Sequence, residues 1–189
     1  MPLLEIRHAE VFGWLDLTFV PWLSRCTQRS ERDFAEVRTC LGEIFNNIHD
    51  HSGSDAGCIF AQWYPKESEL QIAVADFGCG IPAVVRSVEP DISDANALVR
   101  ATEDGFSTKS NPRNRGIGLF FLIQNVVERF GGSLTLRSGS GAVRFENRNG
   151  SAISRRQSAP GFCPGTLLEI SIRTDLIALV EEELEPFEW

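Results

Sequence analysis

The segment Glu43-Ile-Phe-Asn-Asn-Ile-His-Asp-His51 decides the fold together with two segments that follow it in the chain. The second is Asp76-Phe-Gly-Cys-Gly80, and the third is Arg115-Gly-Ile-Gly-Leu119. The first predicts a helix that carries a carboxylate and an amide one turn apart. The second predicts a strand that ends in a glycine turn, and the third predicts two glycines at the start of another helix. Each pattern is common alone, but the three patterns rarely occur together in this order by chance.

The composition indicates one soluble domain. The chain has 189 residues, of which 42% are hydrophobic and 23% are charged, and its formal net charge is −8. These values are ordinary for a globular protein with a substantial core. The negative charge argues against broad binding to nucleic acid or to an anionic membrane, since both require a basic face. The sequence holds one local basic cluster, formed by Arg144, Arg148, Arg155 and Arg156.

The cysteines and histidines show neither a disulfide pattern nor a metal-binding pattern. The five cysteines are scattered without a C-x-x-C motif, and we interpret them as reduced thiols of a cytoplasmic protein. The three histidines lack an H-E-x-x-H motif, so a transition-metal site is not expected. The chain also lacks an apolar run of membrane-spanning length, and its first residues lack the layout of a signal peptide.

Helical and strand patterns alternate along the chain. A first helix begins at Ser30, where Ser30-Glu-Arg-Asp33 resembles a capping box, and apolar residues recur at helical spacing as far as His51. The later elements are strands at 57–64 and 70–75, helices at 82–88, 94–101 and 119–130, strands at 133–137, 142–145 and 166–172, and an acidic helix at 175–185. This order predicts an α+β two-layer α/β sandwich, with a mixed, mainly antiparallel sheet covered by helices on one face.

The domain boundaries follow from these elements. Residues 1–29 form an N-terminal extension that holds either an additional strand or short helices. Residues 30–173 form the main domain, with a lid at about 81–115 and a long hairpin excursion or partly disordered loop at about 146–164. Residues 174–189 form an acidic C-terminal helix or tail.

The first segment suggests a metal-binding and proton-accepting helix face. Glu43, Asn47 and His51 are spaced at i, i+4 and i+8, so they share one face of the helix. An amide oxygen is a hard ligand of the kind that Mg²⁺ prefers, and a carboxylate one turn earlier can position or deprotonate a nucleophile. The alternative is a solvated helix face, and the glycine segments downstream argue against it.

The second segment suggests a pocket for adenine. Asp76 ends an apolar strand, where a carboxylate requires a hydrogen-bonding partner. It can accept a hydrogen bond from the exocyclic amino group of adenine, which guanine lacks at that position. Gly78 and Gly80 allow the backbone to turn sharply and to approach the base and sugar closely. An ordinary turn is the alternative.

The third segment suggests a phosphate site. Free amides at a helix start bind phosphate, and glycines permit close approach. Lys109 and Arg115 can neutralise phosphate charge, unless they belong to a solvated loop. We expect eight residues here to contact the nucleotide: Ser107, Thr108, Lys109, Arg115, Gly116, Ile117, Gly118 and Leu119.

Together, the three segments resemble the ATP-binding domain shared by gyrase, the ninety-kilodalton heat-shock chaperone, histidine kinases and mismatch-repair ATPases. The resemblance covers roughly residues 34–173. It implies ATP and Mg²⁺ as cofactors, Asn47 as the magnesium ligand and Glu43 as the catalytic base. It also implies that Asp76 binds adenine and that Thr166, which follows a glycine before the last strand, lies near the base.

Within this family, the S-T-K and R-G-I-G-L patterns of residues 107–119 are similar to those of sensor kinases. Two positions depart from the pattern, because Cys79 stands between the glycines of the second segment and Asn114 replaces a glycine common in histidine kinases. No helix pair with an exposed phosphoacceptor histidine is predicted ahead of the domain. The chain therefore resembles the stand-alone, anti-sigma-factor-like serine kinases more than a complete sensor kinase.

The resemblance implies a regulatory protein that transfers or senses the γ-phosphate of ATP in the control of a protein partner. The implied partner is a STAS-like antagonist, a response regulator or a sigma factor, and the implied enzyme is an ATP-dependent protein kinase or a slow ATPase. A non-catalytic, nucleotide-gated interaction module and the ATP-binding part of a split histidine kinase stay open as alternatives. A homodimer also stays open, although no transducer domain follows residue 173 as in gyrase-like clamps.

Overall fold

Seven strands form one antiparallel sheet in a computed structural model that describes residues 1–106, 117–158 and 161–177. The strands are Leu4–Arg7 (β1), Ala56–Tyr64 (β2), Glu69–Asp76 (β3), Ser133–Gly139 (β4), Gly141–Arg148 (β5), Ser151–Arg156 (β6) and Cys163–Arg173 (β7). Their order across the sheet is β1-β2-β3-β7-β4-β5-β6. Every strand pair among the described residues is antiparallel, so the prediction of a mainly antiparallel α+β fold is confirmed.

The helices cover one face of this sheet. They are Val11–Trp14 (α1), Val20–Thr27 (α2), Ala35–Asn47 (α3), Ile81–Arg86 (α4), Asp94–Arg100 (α5) and Ile117–Ile123 (α6). In β3, Leu70, Ile72 and Val74 are buried while Gln71 between them is exposed. The buried strand residues share one hydrophobic core with apolar residues of the helices, as expected for a two-layer sandwich.

The predicted first helix is present between Ser30 and Ser52. Ser30 caps its start, because the Ser30 side-chain oxygen accepts a hydrogen bond of 3.3 Å from the Arg32 N–H. A 3₁₀ turn at Glu31–Phe34 leads into α3, and a π turn at Ile48–Ser52 closes the helix before Gly53, whose φ of 76° is left-handed.

The N-terminal region contains both a strand and helices. β1 pairs with β2, and α1 continues through a π turn at Leu15–Phe19 into α2. Val11, Leu15, Phe19 and Leu23 recur at every fourth position and are buried in the common core. The N-terminal region is therefore an integral part of the packed unit.

Arg29 connects the N-terminal region to the end of β7. Its guanidinium donates hydrogen bonds to the backbone oxygens of Thr174 and, at 2.6 Å, of Ile177. It also pairs with Asp33 at 3.3 Å. One half-buried cation thus holds the end of the N-terminal region against the residues that follow β7.

Two predicted regions near the C-terminus take a more specific form in the structure or lie partly outside the described residues. Of the two alternatives for residues 146–164, the described part shows a hairpin, because β6 pairs with β5 and places Phe145 opposite Ser154. Its polar sequence gave no strand signal, because a sheet-edge strand needs only one partner and little apolar surface. The predicted helix at 175–185 begins instead as a 3₁₀ turn at Thr174–Leu176, and residues 178–189 lie outside the described residues.

The other predicted helices are present. The helix predicted at 119–130 consists of α6 and a π turn at Gln124–Arg129. Within the described part of the chain, none of the helices is both long and apolar enough to cross a membrane.

Candidate functional site

A buried carboxylate lies at the end of β3. Asp76 is only 4% exposed and stands opposite Thr166 of β7. Burial raises the pKa of the Asp76 carboxyl, while hydrogen bonds from the Gly78 N–H, at 2.8 Å, and from Thr166 oppose the increase. A carboxylate accepts up to about four hydrogen bonds, so Asp76 has capacity left for a donor on a ligand.

The glycine turn after Asp76 packs directly against the end of the first helix. The Cys79 N–H donates a hydrogen bond of 2.9 Å to the Ser52 backbone oxygen. A Cβ atom added to Gly78 would lie 2.1 Å from that same oxygen, which no side chain can tolerate. The contact therefore couples the second segment of the sequence to the first, and it explains why a glycine stands at position 78.

Ser138 of β4 fixes the other half of this turn. Its side chain is fully buried, donates a hydrogen bond to the Gly165 backbone oxygen and accepts one of 3.1 Å from the Ile81 N–H. Gly80 has a φ of 77°, and a Cβ atom there would lie 2.6 Å from the Ser138 hydroxyl oxygen. The sequence did not reveal Ser138, because its contacts depend on the pairing of β4 with β7.

The predicted catalytic face and the third segment meet at Asn47. A Cβ atom added to Gly118 would lie 2.5 Å from the Asn47 amide nitrogen and 3.1 Å from its oxygen. The glycine at the start of α6 thus leaves the space beside the Asn47 amide that a side chain would fill. Glu43 and Asn47 are half-buried on α3. The donor set fits Mg²⁺, because the amide and carboxylate supply hard oxygens one helical turn apart on α3.

His51 lies in the π turn after α3, and a hydrogen bond to its backbone oxygen connects it to the glycine turn. The Cys79 thiol donates a hydrogen bond of 3.1 Å to the His51 carbonyl oxygen. Cys79 is exposed, so its replacement of a smaller residue between the two glycines disturbs no buried contact.

Several predicted site residues lie outside the described residues. They are Ser107, Thr108, Lys109, Arg115 and Gly116, together with Asn114. Ile117 is the first residue of α6, and Leu119 packs against the hydrophobic core. The described part of the phosphate segment thus consists of Gly118 and the helix behind it.

The structure adds two residues beside Glu43 that the sequence did not suggest. The Asn46 side-chain nitrogen donates a hydrogen bond of 3.4 Å to the Glu43 carboxylate, and His8 Nε2 lies 3.0 Å from the Asn46 side-chain oxygen. His8 reaches this position because β1 pairs with β2, a contact between distant parts of the chain. The N-terminal region therefore contacts the environment of the predicted base.

Three features thus meet at the end of the first helix. They are the buried Asp76 acceptor, two closely packed glycine turns, and the oxygen ligands offered by Glu43 and Asn47. A purine with an amino group matches Asp76, and a metal-bound phosphate chain matches the Asn47 and Gly118 side. The three sequence segments are brought into contact through two pairs of residues, Ser52 with Gly78 and Asn47 with Gly118.

Comparison with known proteins identifies the family of the chain. The family model described as "Histidine kinase-, DNA gyrase B-, and HSP90-like ATPase" matches residues 32–157, which is more than half of the chain. The sensor histidine kinase DpiB of Escherichia coli (strain K12) is 29% identical over 136 residues, which cover 70% of this chain and 22% of that protein. The chain therefore spans less than a quarter of that relative's length.

A crystal structure of the B-subunit of DNA gyrase from Myxococcus xanthus aligns with 85% of this chain and 42% of that chain, at 9% identity and a TM-score of 0.38. That alignment is too distant to inform the site. The assignment rests on the family match and on the three segments, and the chain belongs to the histidine kinase-, DNA gyrase B- and HSP90-like ATPase family.

Proposed function

We propose that the protein is an ATP- and Mg²⁺-binding regulatory kinase that transfers the γ-phosphate of ATP to a protein partner in the cytoplasm. Membership of the ATPase family supports nucleotide binding. The similarity to a sensor histidine kinase supports a role in signalling, although the chain covers only 22% of that relative.

The contact of Gly118 with Asn47 carries this proposal. It places the start of α6 beside the amide that would hold the metal, one helical turn from Glu43. Phosphate oxygens bound at this point would lie between a metal ligand and a carboxylate, which is the positioning that phosphoryl transfer requires.

Each residue then has a distinct task. Asp76 accepts a hydrogen bond from the adenine amino group, and the backbone at Gly78 and Gly80 lies close to the base. Asn47 supplies an oxygen ligand to Mg²⁺, which when bound neutralises charge on the phosphates. Glu43 orients the acceptor hydroxyl and receives its proton.

The acceptor hydroxyl oxygen of the partner forms a bond to the γ-phosphorus while the bond from that phosphorus to the β–γ bridging oxygen breaks. ADP leaves with the electron pair of the broken bond, and the hydroxyl proton passes to the Glu43 carboxylate. A serine or threonine of a STAS-like antagonist, or of a sigma factor, suits this chemistry.

A second candidate is the ATP-binding part of a split histidine kinase, which the similarity to DpiB favours. In that case the acceptor is a histidine of another chain, and a response regulator is the final recipient. A nucleotide-gated interaction module that never transfers phosphate is the non-enzymatic alternative, because a half-buried Glu43 is compatible with it.

Incubation with γ-labelled ATP and candidate acceptor proteins tests the proposal. We expect label on the acceptor, and its loss with the Glu43→Gln variant. Acid-stable label indicates a serine or threonine, whereas acid-labile, base-stable label indicates a phosphohistidine. Binding of Mg·ATP without transfer or hydrolysis, with every acceptor tested, would overturn the kinase in favour of the interaction module.

A further inference from the structure

Two histidines and an aspartate meet on the surface behind the candidate nucleotide site. One potential ligand atom from each of His8, His49 and Asp55 lies within 4.8 Å of the other two. The imidazole rings are stacked, with centroids 4.1 Å apart and planes inclined by 9°. His49 Nδ1 lies 2.9 Å from an Asp55 carboxylate oxygen. Among the described residues this is the one group of three His, Cys, Asp or Glu side chains whose possible ligand atoms lie this close together.

Backbone contacts hold the three residues together. The His8 N–H donates a hydrogen bond of 2.8 Å to the Asp55 backbone oxygen, where β1 runs beside the start of β2. His49 comes from the π turn that closes the first helix. The cluster thus joins the N-terminal region, the helix that carries Asn47, and the loop before β2.

We propose that His8, His49 and Asp55 bind a divalent transition-metal ion, for which Zn²⁺ is the best match. Three protein ligands of nitrogen and carboxylate oxygen, with water in the fourth position, are a frequent zinc arrangement. Mg²⁺ prefers oxygen ligands, so this site and the Asn47 site select different ions. The proposal does not depend on the function proposed above.

Hydrogen bonding prepares His8 for this role. Its Nε2 lies 3.0 Å from the Asn46 side-chain oxygen, which only accepts. In the neutral tautomer that donates from Nε2, the lone pair of Nδ1 is available to a metal ion. Metal-binding histidines usually donate their second N–H to an oxygen in this way, which fixes the orientation and tautomer of the ring. Asn46 therefore acts as the supporting residue of the site.

The present side-chain positions require adjustment. Two donors about 2.0–2.1 Å from a tetrahedral ion lie about 3.3 Å apart. His49 Nδ1 and the Asp55 oxygen are hydrogen-bonded at 2.9 Å, so the ion would displace the proton between them and separate the two atoms slightly. Stacked rings, however, keep their lone pairs in nearly parallel planes that do not meet at one ion, so one imidazole must turn. The side chains of His49 and Asp55 are 48% and 67% exposed, which leaves room for that rotation.

Binding would stabilise the folded chain, because the ligands come from separate segments that an unfolded chain does not bring together. The ion would fasten the N-terminal region to the end of the first helix. It would also hold Asn46, whose amide nitrogen donates to Glu43.

The test is a titration of the full chain with Zn²⁺ by calorimetry in chelator-treated buffer, repeated with Co²⁺ to record visible absorption. We expect one ion per chain with micromolar affinity, a higher melting temperature, and a Co²⁺ spectrum without thiolate bands. His49→Ala should weaken binding by at least about tenfold, and Asp55→Asn by several-fold. Excess Mg²⁺ should not compete.

Matched variants control for other donors. His51→Gln changes a histidine two positions away, and Cys26→Ser with Cys79→Ser removes the two exposed thiols. All of these should keep Zn²⁺ affinity unchanged. Circular dichroism must show that His49→Ala is folded. The proposal is overturned if wild-type protein fails to bind Zn²⁺ at micromolar concentrations, or if affinity is the same in folded His49→Ala protein.

Discussion

The two ends of the candidate nucleotide site are built in different ways. The base pocket, formed by Asp76, Gly78, Gly80 and Thr166, is shaped by backbone atoms packed so tightly that a single added Cβ atom would lie 2.1 Å from a neighbour. The catalytic face, formed by Glu43 and Asn47, consists of half-buried side chains on a regular helix. The difference suggests that changes to the base pocket act through shape and stability, whereas changes to the catalytic face act through chemistry.

The largest effect is expected at the catalytic face. Glu43→Ala should lower phosphate transfer or hydrolysis by about two to four orders of magnitude, because a positioned base is lost. Nucleotide affinity should change only a few-fold, since a base acts on the nucleophile and not on bound ATP. Turnover and calorimetric affinity are the measurements, with Glu31→Gln at the exposed helix start as a control. If Glu43→Ala lowered nucleotide affinity as strongly as it lowered the rate, the distinction between the base pocket and the catalytic face would not hold.

The base pocket should fail through its shape. Gly78→Ala should destabilise the fold by about 1–3 kcal/mol, because the new methyl group displaces the Ser52 backbone or the turn itself. Chemical denaturation measures this change. Gly13→Ala is the matched control, since a Cβ atom at Gly13 meets no neighbouring atom within 4 Å and alanine favours helix. Equal stability of the Gly78→Ala and wild-type proteins would contradict the packing argument.

Asp76 is the exception within the base pocket, because it acts through a functional group. Asp76→Asn should weaken ATP binding by at least about tenfold and reduce the preference for ATP over GTP, since the amide offers a donor where the adenine amino group needs an acceptor. Calorimetry with both nucleotides checks this. Wild-type protein that binds ATP and GTP equally would refute the adenine assignment.

The effect of Asp76→Asn on the stability of the fold should depend on pH. The folded pKa of Asp76 lies above its unfolded value, so the carboxyl favours folding most below the unfolded value and loses that contribution as the pH rises through the folded one. The stability of Asp76→Asn relative to that of wild type should therefore be higher at neutral pH than at acidic pH. Urea unfolding at two pH values measures the difference, and a reversed trend would exclude desolvation as the dominant cause.

The smallest effect is expected from the metal ligand. Asn47→Ala should weaken ATP binding several-fold in Mg²⁺ buffer, and the difference from wild type should shrink when Mg²⁺ is chelated, because the lost contact runs through the ion. Asn96→Ala, at an exposed position of α5, is a suitable amide control. A loss that is independent of Mg²⁺ would assign Asn47 a structural role beside Gly118.

Site residues that stand within short sequence segments could be predicted, whereas residues brought to the site by strand pairing could not. Glu43, Asn47, Asp76 and Gly78 stand within short segments whose spacing alone indicates a helix face or a turn, so local patterns were sufficient. The contacts of Ser138 depend on the register of β4 with β7, and the position of His8 depends on the pairing of β1 with β2. Such non-local contacts leave no periodic signal in a single sequence.

Strand β6 was missed for a related reason. Strand prediction relies on apolar alternation, but Ser151–Arg156 has one strongly apolar residue, Ile153, and acquires its conformation from hydrogen bonds to β5. Thr166 shows the complementary case. It was singled out by family resemblance alone, the structure places it opposite Asp76, and its closeness to a bound base stays a prediction.

The polar character of β6 has a consequence for solubility. An open sheet exposes unpaired amide and carbonyl groups along its outermost strands, and these can recruit strands of other molecules into aggregates. At this edge, Arg155 and Arg156 place two cations on adjacent positions, and the opposite edge is formed by a strand of only four residues, Leu4–Arg7. Charge at one border and shortness at the other both oppose the growth of intermolecular β-sheet.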